Sequence, residues 1–202
     1  MSSSPLRTCF AHIGEALREP ETFAQAWRNG QRRYPWIVWL SLLMTAIVGT
    51  TAYGMSMGLL GGPQRILWAG MACTLGAGLA WSASLPALYV INSITGSRLS
   101  VSSTVLAALV TTSWGGLAML ASIPINWFFT VAVPYEPFIL AVNFVIFTGV
   151  GIAMMDVFGR VMTRLEPARG RAPIVWLLLV AVIGGELFYF FGLFDFVVAS
   201  PV

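Results

Sequence analysis

The sequence predicts an all-α fold: a polytopic integral membrane protein built as a five-transmembrane-helix bundle, N-in and C-out, preceded by N-terminal amphipathic helices. Three observations carry this prediction. Hydrophobic residues make up 57% of the 202 and charged residues only 9%, for a mean hydropathy of +0.81; an ordinary soluble domain is about a quarter charged. The apolar residues gather in five runs of about 20 or more, each enough to cross a hydrocarbon core of about 30 Å at 1.5 Å per residue. The basic residues, eleven arginines and no lysine, are spread unevenly between those runs.

Residues 1–34 form a first, cytoplasmic or interfacial segment with five of the arginines (Arg7, Arg18, Arg28, Arg32, Arg33). One helix is expected from about Pro5 to Arg18, where Leu6, Phe10, Ile13 and Leu17 recur every three or four residues. A second opens at Pro20, a favoured first helical position, and groups Phe23, Ala26 and Trp27. Arginines beside an apolar stripe suit a helix lying on an anionic leaflet; a solvated lead-in to the first span is the other reading.

Residues 35–200 form the membrane domain, with spans expected at about 36–57, 66–90, 105–128, 138–158 and 174–198. Gly61-Gly62-Pro63 separates the first two, Pro134 and Pro137 the third from the fourth, and Pro167, Gly170 and Pro173 the fourth from the fifth. Between the second and third lies a polar island, Leu85–Thr104, read as a turn. Gly96 there suits the left-handed conformation that ends many helices, and a Ser or Thr among residues 100–104 can cap the next helix.

Orientation follows from the arginines, which favour the cytoplasmic side. With the N-terminus inside, ten of the eleven fall on inner segments and only Arg65 outside. Trp36, Trp39 and Trp176 then lie at the inner interface and Trp68 and Trp127 at the outer one, as aromatic belts require. The arginine-only basic set with abundant Ala and Gly suggests a bacterial coding sequence, so the expected location is the bacterial cytoplasmic membrane.

Helices in a bilayer associate by close packing of small residues. The first span carries Ala46, Thr50, Gly54, Gly58 and Gly62 at four-residue steps, and the second carries Ala72, Gly76, Ala80 and Ser84, beside Gly70, Thr74, Gly78 and Ser82. These ridges predict contact among the first spans, with contact to a partner subunit as the other reading.

Candidate polar chemistry is sparse. Glu186 is the thirteenth of 25 residues in the expected last span, and Asp195 follows nine later, on the opposite side of a helix. An intramembrane acid faces a bundle interior or a pathway, so Glu186 is expected to hydrogen-bond a polar neighbour such as Asn143, Thr148 or Tyr53. A proton or ion pathway and a contact to a partner subunit are the alternatives. Asp156 and Arg160, at i and i+4 with the acid first, fit an intrahelical ion pair. Glu136 is read as solvated. Trp81 and Trp114 lie inside their spans and are read as core, although they could flank a lipid or quinone. One histidine, His12, cannot supply paired axial haem ligands, and zinc, phosphate-loop and nucleophile-elbow patterns are missing. The sequence therefore predicts no enzyme, no cofactor and no metal site, and its charge is too dispersed for nucleic acid.

The plan of a polar inner segment, five spans and a short outer tail resembles the Yip family of Rab-interacting membrane proteins and its bacterial relatives. Pro20-Glu21-Thr22-Phe23 stands before the first span, where bacterial members carry a similar Pro-to-Phe segment, and Gly96-Ser97-Arg98-Leu99-Ser100 precedes the third, where members have a Gly and a polar run. The resemblance implies a small polytopic protein that organises a membrane or accompanies a larger complex. The expected function is accordingly a non-enzymatic structural or accessory subunit, partnered by the lipid bilayer and other membrane proteins. A transport component using Glu186 is the alternative.

Overall fold

The computed structural model describes residues 5–31, 34–94, 96–97, 99–167 and 174–194, and all regular structure in them is helical. Seven α-helices follow in order: α1 (Pro5–Arg18), α2 (Pro20–Arg28), α3 (Trp36–Met57), α4 (Gly62–Ile94), α5 (Val101–Ala132), α6 (Glu136–Leu165) and α7 (Ile174–Phe190). A single 3-10 turn, Leu59–Gly61, joins α3 to α4. Four of them, α3 to α6, are long and apolar enough to cross a membrane.

The middle helices outrun the expected spans. α4 continues to Ile94 and α5 begins at Val101, so the polar island 85–104 is mostly helix and only six positions separate the two helices. Hydropathy marks where hydrocarbon ends, whereas a helix ends where a cap ends it. Here the caps are Gly96, at φ +82°, and Ser100, whose side chain accepts a hydrogen bond from the Ser103 amide at 3.2 Å. Pro86 and Pro124 sit inside α4 and α5 without ending them.

The last helix is shorter than expected. α7 stops at Phe190 after 17 residues instead of running to 198, of which 195–198, Asp195 included, lie outside the described residues. Its end is a Schellman motif: the Gly192 amide donates to Tyr189 O at 2.9 Å and the Leu193 amide to Phe188 O at 3.0 Å. Gly192 takes φ +68°, a conformation that costs glycine little. The reversal turns Leu193 inward onto Ala69, Ala72 and Cys73 of α4.

The helices alternate in direction, and the end bearing α1, α2 and the α4–α5 turn is here called proximal, the other distal. α3 packs between α4 and α5, α5 packs on α6, and α7 lies along α4. The N-terminal pair packs on the proximal end of the bundle. Its apolar residues Ala16, Phe23 and Ala24 are buried in one cluster with Val38 and Leu42 of α3, Leu106 and Val110 of α5, and Phe158 and Val161 of α6. An apolar stripe needs a low-dielectric surface, and the proximal end of the bundle provides one. Tyr34 is the wedge: its ring stacks on Phe23 at 4.0 Å, and its hydroxyl donates to Phe23 O at 3.0 Å.

Candidate functional site

The small residues come together as two different seams. A Cβ at Gly54 would lie 2.6 Å from Ala69 O and Cys73 Cβ of α4, and one at Gly58 2.6 Å from Arg65 O and Ile66 Cα. Ala46 instead faces α5, where a Cβ on Gly116 would lie 2.8 Å from the Ala46 Cα; Gly49, off the expected ridge, meets the Gly116 backbone. Four-residue steps advance about 40° around a helix, so a five-residue ridge winds from one neighbour to the next. Thr50 uses its hydroxyl on Ala46 O at 2.8 Å, and Gly62 takes φ +81° where α4 begins. On α4, Ala72, Gly76 and Ala80 are buried. Gly76 meets the Phe188 ring and Ala80 meets Gly184, which seats α7.

Two buried amides join the distal halves of α3, α5 and α6. The Tyr53 hydroxyl donates to Asn143 Oδ1 at 2.6 Å, and Asn143 Nδ2 donates to Ile139 O at 2.8 Å. Asn126 Nδ2 donates to Ser56 Oγ at 2.9 Å, which donates in turn to Tyr53 O at 2.6 Å. Asn126 Oδ1 is buried without a hydrogen-bond partner among the described residues. A cavity of about 100 Å³ reaches Asn143 from the distal end, between Met57, Gly58 and Leu193, with Arg65 and Glu136 along its wall.

Tyr53→Phe and Asn143→Leu should each cost about 1–3 kcal/mol, because each strands the other's polar group. The double variant should cost less than their sum, by about 0.6–1.7 kcal/mol. Additive losses in detergent unfolding would show that this hydrogen bond contributes nothing.

Glu186 therefore does not meet the neighbours expected for it. Tyr53 and Asn143 serve each other, and Thr148 returns its hydroxyl to Phe144 O at 2.8 Å. Glu186 is exposed on the side of α7 away from α4, and no hydrogen bond or ion pair joins it to another described residue. Its level is fixed by the seat of α7: Gly184 is opposite Ala80 and Phe188 opposite Gly76, near the middle of the 33-residue α4. If a membrane surrounded the bundle, a charge at that level would cost about 2.5–3.5 kcal/mol on the mildest scale.

The other ions gather at the two ends. Arg160 Nε lies 3.0 Å from Asp156 Oδ2 within α6, and its Nη1 lies 3.0 Å from Glu21 Oε1 of α2. Arg164 adds a second contact to Glu21 at 3.3 Å. Glu21 as the clasp of α2 onto α6 was not legible, since its partners lie 139 and 143 residues away. At the distal end Glu136 is paired with Arg65 at 2.6 Å, instead of being simply solvated. Trp81 packs edge-on to Phe158 at 6.3 Å, and Trp114 packs against the same cluster.

Four apolar helices of spanning length, seamed by glycines and pinned by buried amides, define the class as a helical membrane bundle. No protein-family model, curated protein or solved structure matches the chain.

Proposed function

We propose that this chain is a five-span protein of the bacterial cytoplasmic membrane, N-terminus inside and C-terminus outside, that works without catalysis as a structural or accessory subunit of a larger membrane complex. The observation that carries this reading is Glu186, exposed at the mid-level of the bundle on α7 and without a partner among the described residues. Intramembrane acids face protein or a water-filled cavity, and among the described residues the face that Glu186 occupies has neither. A second chain supplies what is missing. The internal polar groups of α3, α5 and α6 serve packing, which suits a scaffold. With α7 counted as a fifth span, the plan is the one that resembles the Yip family.

Orientation is supported by the distribution of charge and tryptophan. Arg18, Arg28, Arg160 and Arg164 lie at the proximal end and Arg65 at the distal end. Trp36 near one end and Trp68 and Trp127 toward the other are exposed, as interfacial anchors are. The transport alternative requires Glu186 to face an internal pathway, and its place on the outer side of α7 gives that reading no support.

Two measurements test the proposal. Single cysteines replacing Ser97 should be shielded from an impermeant thiol reagent in intact cells, and those replacing Gln64 or Tyr135 should be labelled, with native thiols removed. The parent chain, extracted in mild detergent, should migrate with other membrane proteins in stoichiometric amount. A monodisperse single chain would overturn the subunit reading, and outside labelling of Ser97 would invert the topology.

A further inference from the structure

The exposed side of α7 carries Leu178, Val182, Glu186, Tyr189 and Phe190, all exposed and spaced three or four apart, so they share one face. Gly185 stands beside the acid with nothing within 4 Å of where its Cβ would be, which leaves room for another backbone to approach closely. This is an apolar strip about 18 Å long with a single acid two-thirds of the way along it.

Charge selects the occupant. No described arginine is near Glu186: Arg65, on the adjacent α4, lies 13 residues beyond the level of Gly78 and is held by Glu136, about 20 Å along the helix. Arg18, Arg28, Arg160 and Arg164 belong to the proximal end, as does His12. The described residues of a second copy would thus bring no cation to mid-depth in either orientation, only another acid. Lipid tails bring no hydrogen-bond donor at all.

We infer that this face of α7 docks a transmembrane helix of a different protein, one that carries a lysine or arginine at mid-bilayer opposite Glu186. The inference rests on the subunit reading and adds the partner's chemistry to it. An apolar helix with one central cation matches the strip in length and hydropathy and complements its single charge. In the low dielectric of the bilayer that pairing decides which helix binds.

The test uses the full chain in lipid nanodiscs and synthetic leucine-rich peptides of about 23 residues, long enough to span. One peptide has lysine at its centre, one has leucine there, and one has the lysine moved two turns toward its end. A photoreactive group beside the centre maps the contact. The central-lysine peptide should bind at least about tenfold more tightly than the other two, a difference of about 1.4 kcal/mol, and crosslink to α7. Glu186→Gln should erase the preference. Glu186→Lys should transfer it to a peptide with a central glutamate, which a merely unfolded variant could not do. Equal binding of all peptides, a preference that survives Glu186→Gln, or pairing of two copies through α7 in photobleaching counts would each overturn the inference. Extraction of Glu186→Gln separates this from the broader reading. A complex retained intact in that variant would leave the subunit role standing and remove the Glu186 interface.

Discussion

Phe23→Ala is expected to release the N-terminal helical pair from the bundle, at a cost of about 3–5 kcal/mol of docking energy. Phe23 is fully buried, stacks on Tyr34 and belongs to the cluster formed by α3, α5 and α6. Removing the ring takes away this stack and leaves a hole that the rigid helix ends cannot close. The other attachments are weaker. Glu21 meets Arg160 and Arg164 at an exposed surface, where each pair contributes up to about 1 kcal/mol. The Trp27 indole donates to Ser103 Oγ at a long 3.4 Å. Apolar packing therefore decides whether α2 stays. The measurement is limited trypsin digestion in detergent: cleavage at Arg18 and Arg28 should accelerate strongly in Phe23→Ala while the core from α3 to α6 remains protected. Glu21→Gln should accelerate it slightly and only at low salt, since screening already weakens those pairs. The opposite ranking, with Glu21→Gln the more damaging, would make the clasp ionic.

This N-terminal contact also shows where sequence reading stops. The stripes of α1 and α2 follow from spacing alone, because an amphipathic helix must bury one side. What it buries that side against is a tertiary fact, and an anionic leaflet and the end of a bundle ask for the same pattern. The membrane helices were legible because about 20 apolar residues have few other destinations in a chain this short of charge. Their ends were not, since Val90–Ile94 and Val101–Thr104 are polar enough to leave hydrocarbon and still helical.

The end of α7 was hidden for the reverse reason. Leu187–Val198 reads as unbroken apolar sequence apart from Asp195, and the only sign of a reversal is Gly192. α7 is apolar on all sides, so nothing in its pattern says which side meets α4. The expectation that Glu186 faced inward followed from what acids in membranes usually do. Partners of the buried amides could not be read from one sequence either: Tyr53 and Asn143 are 90 residues apart, and Asn126 and Ser56 are 70 apart. Asp156 and Arg160 were legible because four residues on a helix is a contact by construction.

The glycine seam between α3 and α5 gives the other large effect. Gly116→Leu is expected to cost at least the upper end of the roughly 1–3 kcal/mol typical of overpacking, and to separate the two helices. A Cβ there would lie 2.8 Å from the Ala46 Cα and 2.8 Å from Thr45 O, both backbone atoms that cannot rotate aside. α3 and α5 form the most extensive pairing in the bundle, so prying them apart also exposes Tyr53, Ser56 and Asn126 to lipid. Position 115 makes the comparison informative. A Cβ on Gly115 meets the flexible side chain of Met154, with Cε at 2.8 Å, so Gly115→Ala should cost less than Gly116→Ala. At Gly78 nothing lies within 4 Å, and Gly78→Leu should be close to neutral. The measurement is thermal and SDS-induced unfolding of the four variants in one detergent. The loss should follow the kind of atom met: greatest against backbone, smaller against a methionine side chain, least in open space. If Gly78→Leu were as harmful as Gly116→Leu, the damage would come from bulk anywhere on the helices, and close backbone approach of α3 to α5 would not be what holds them together.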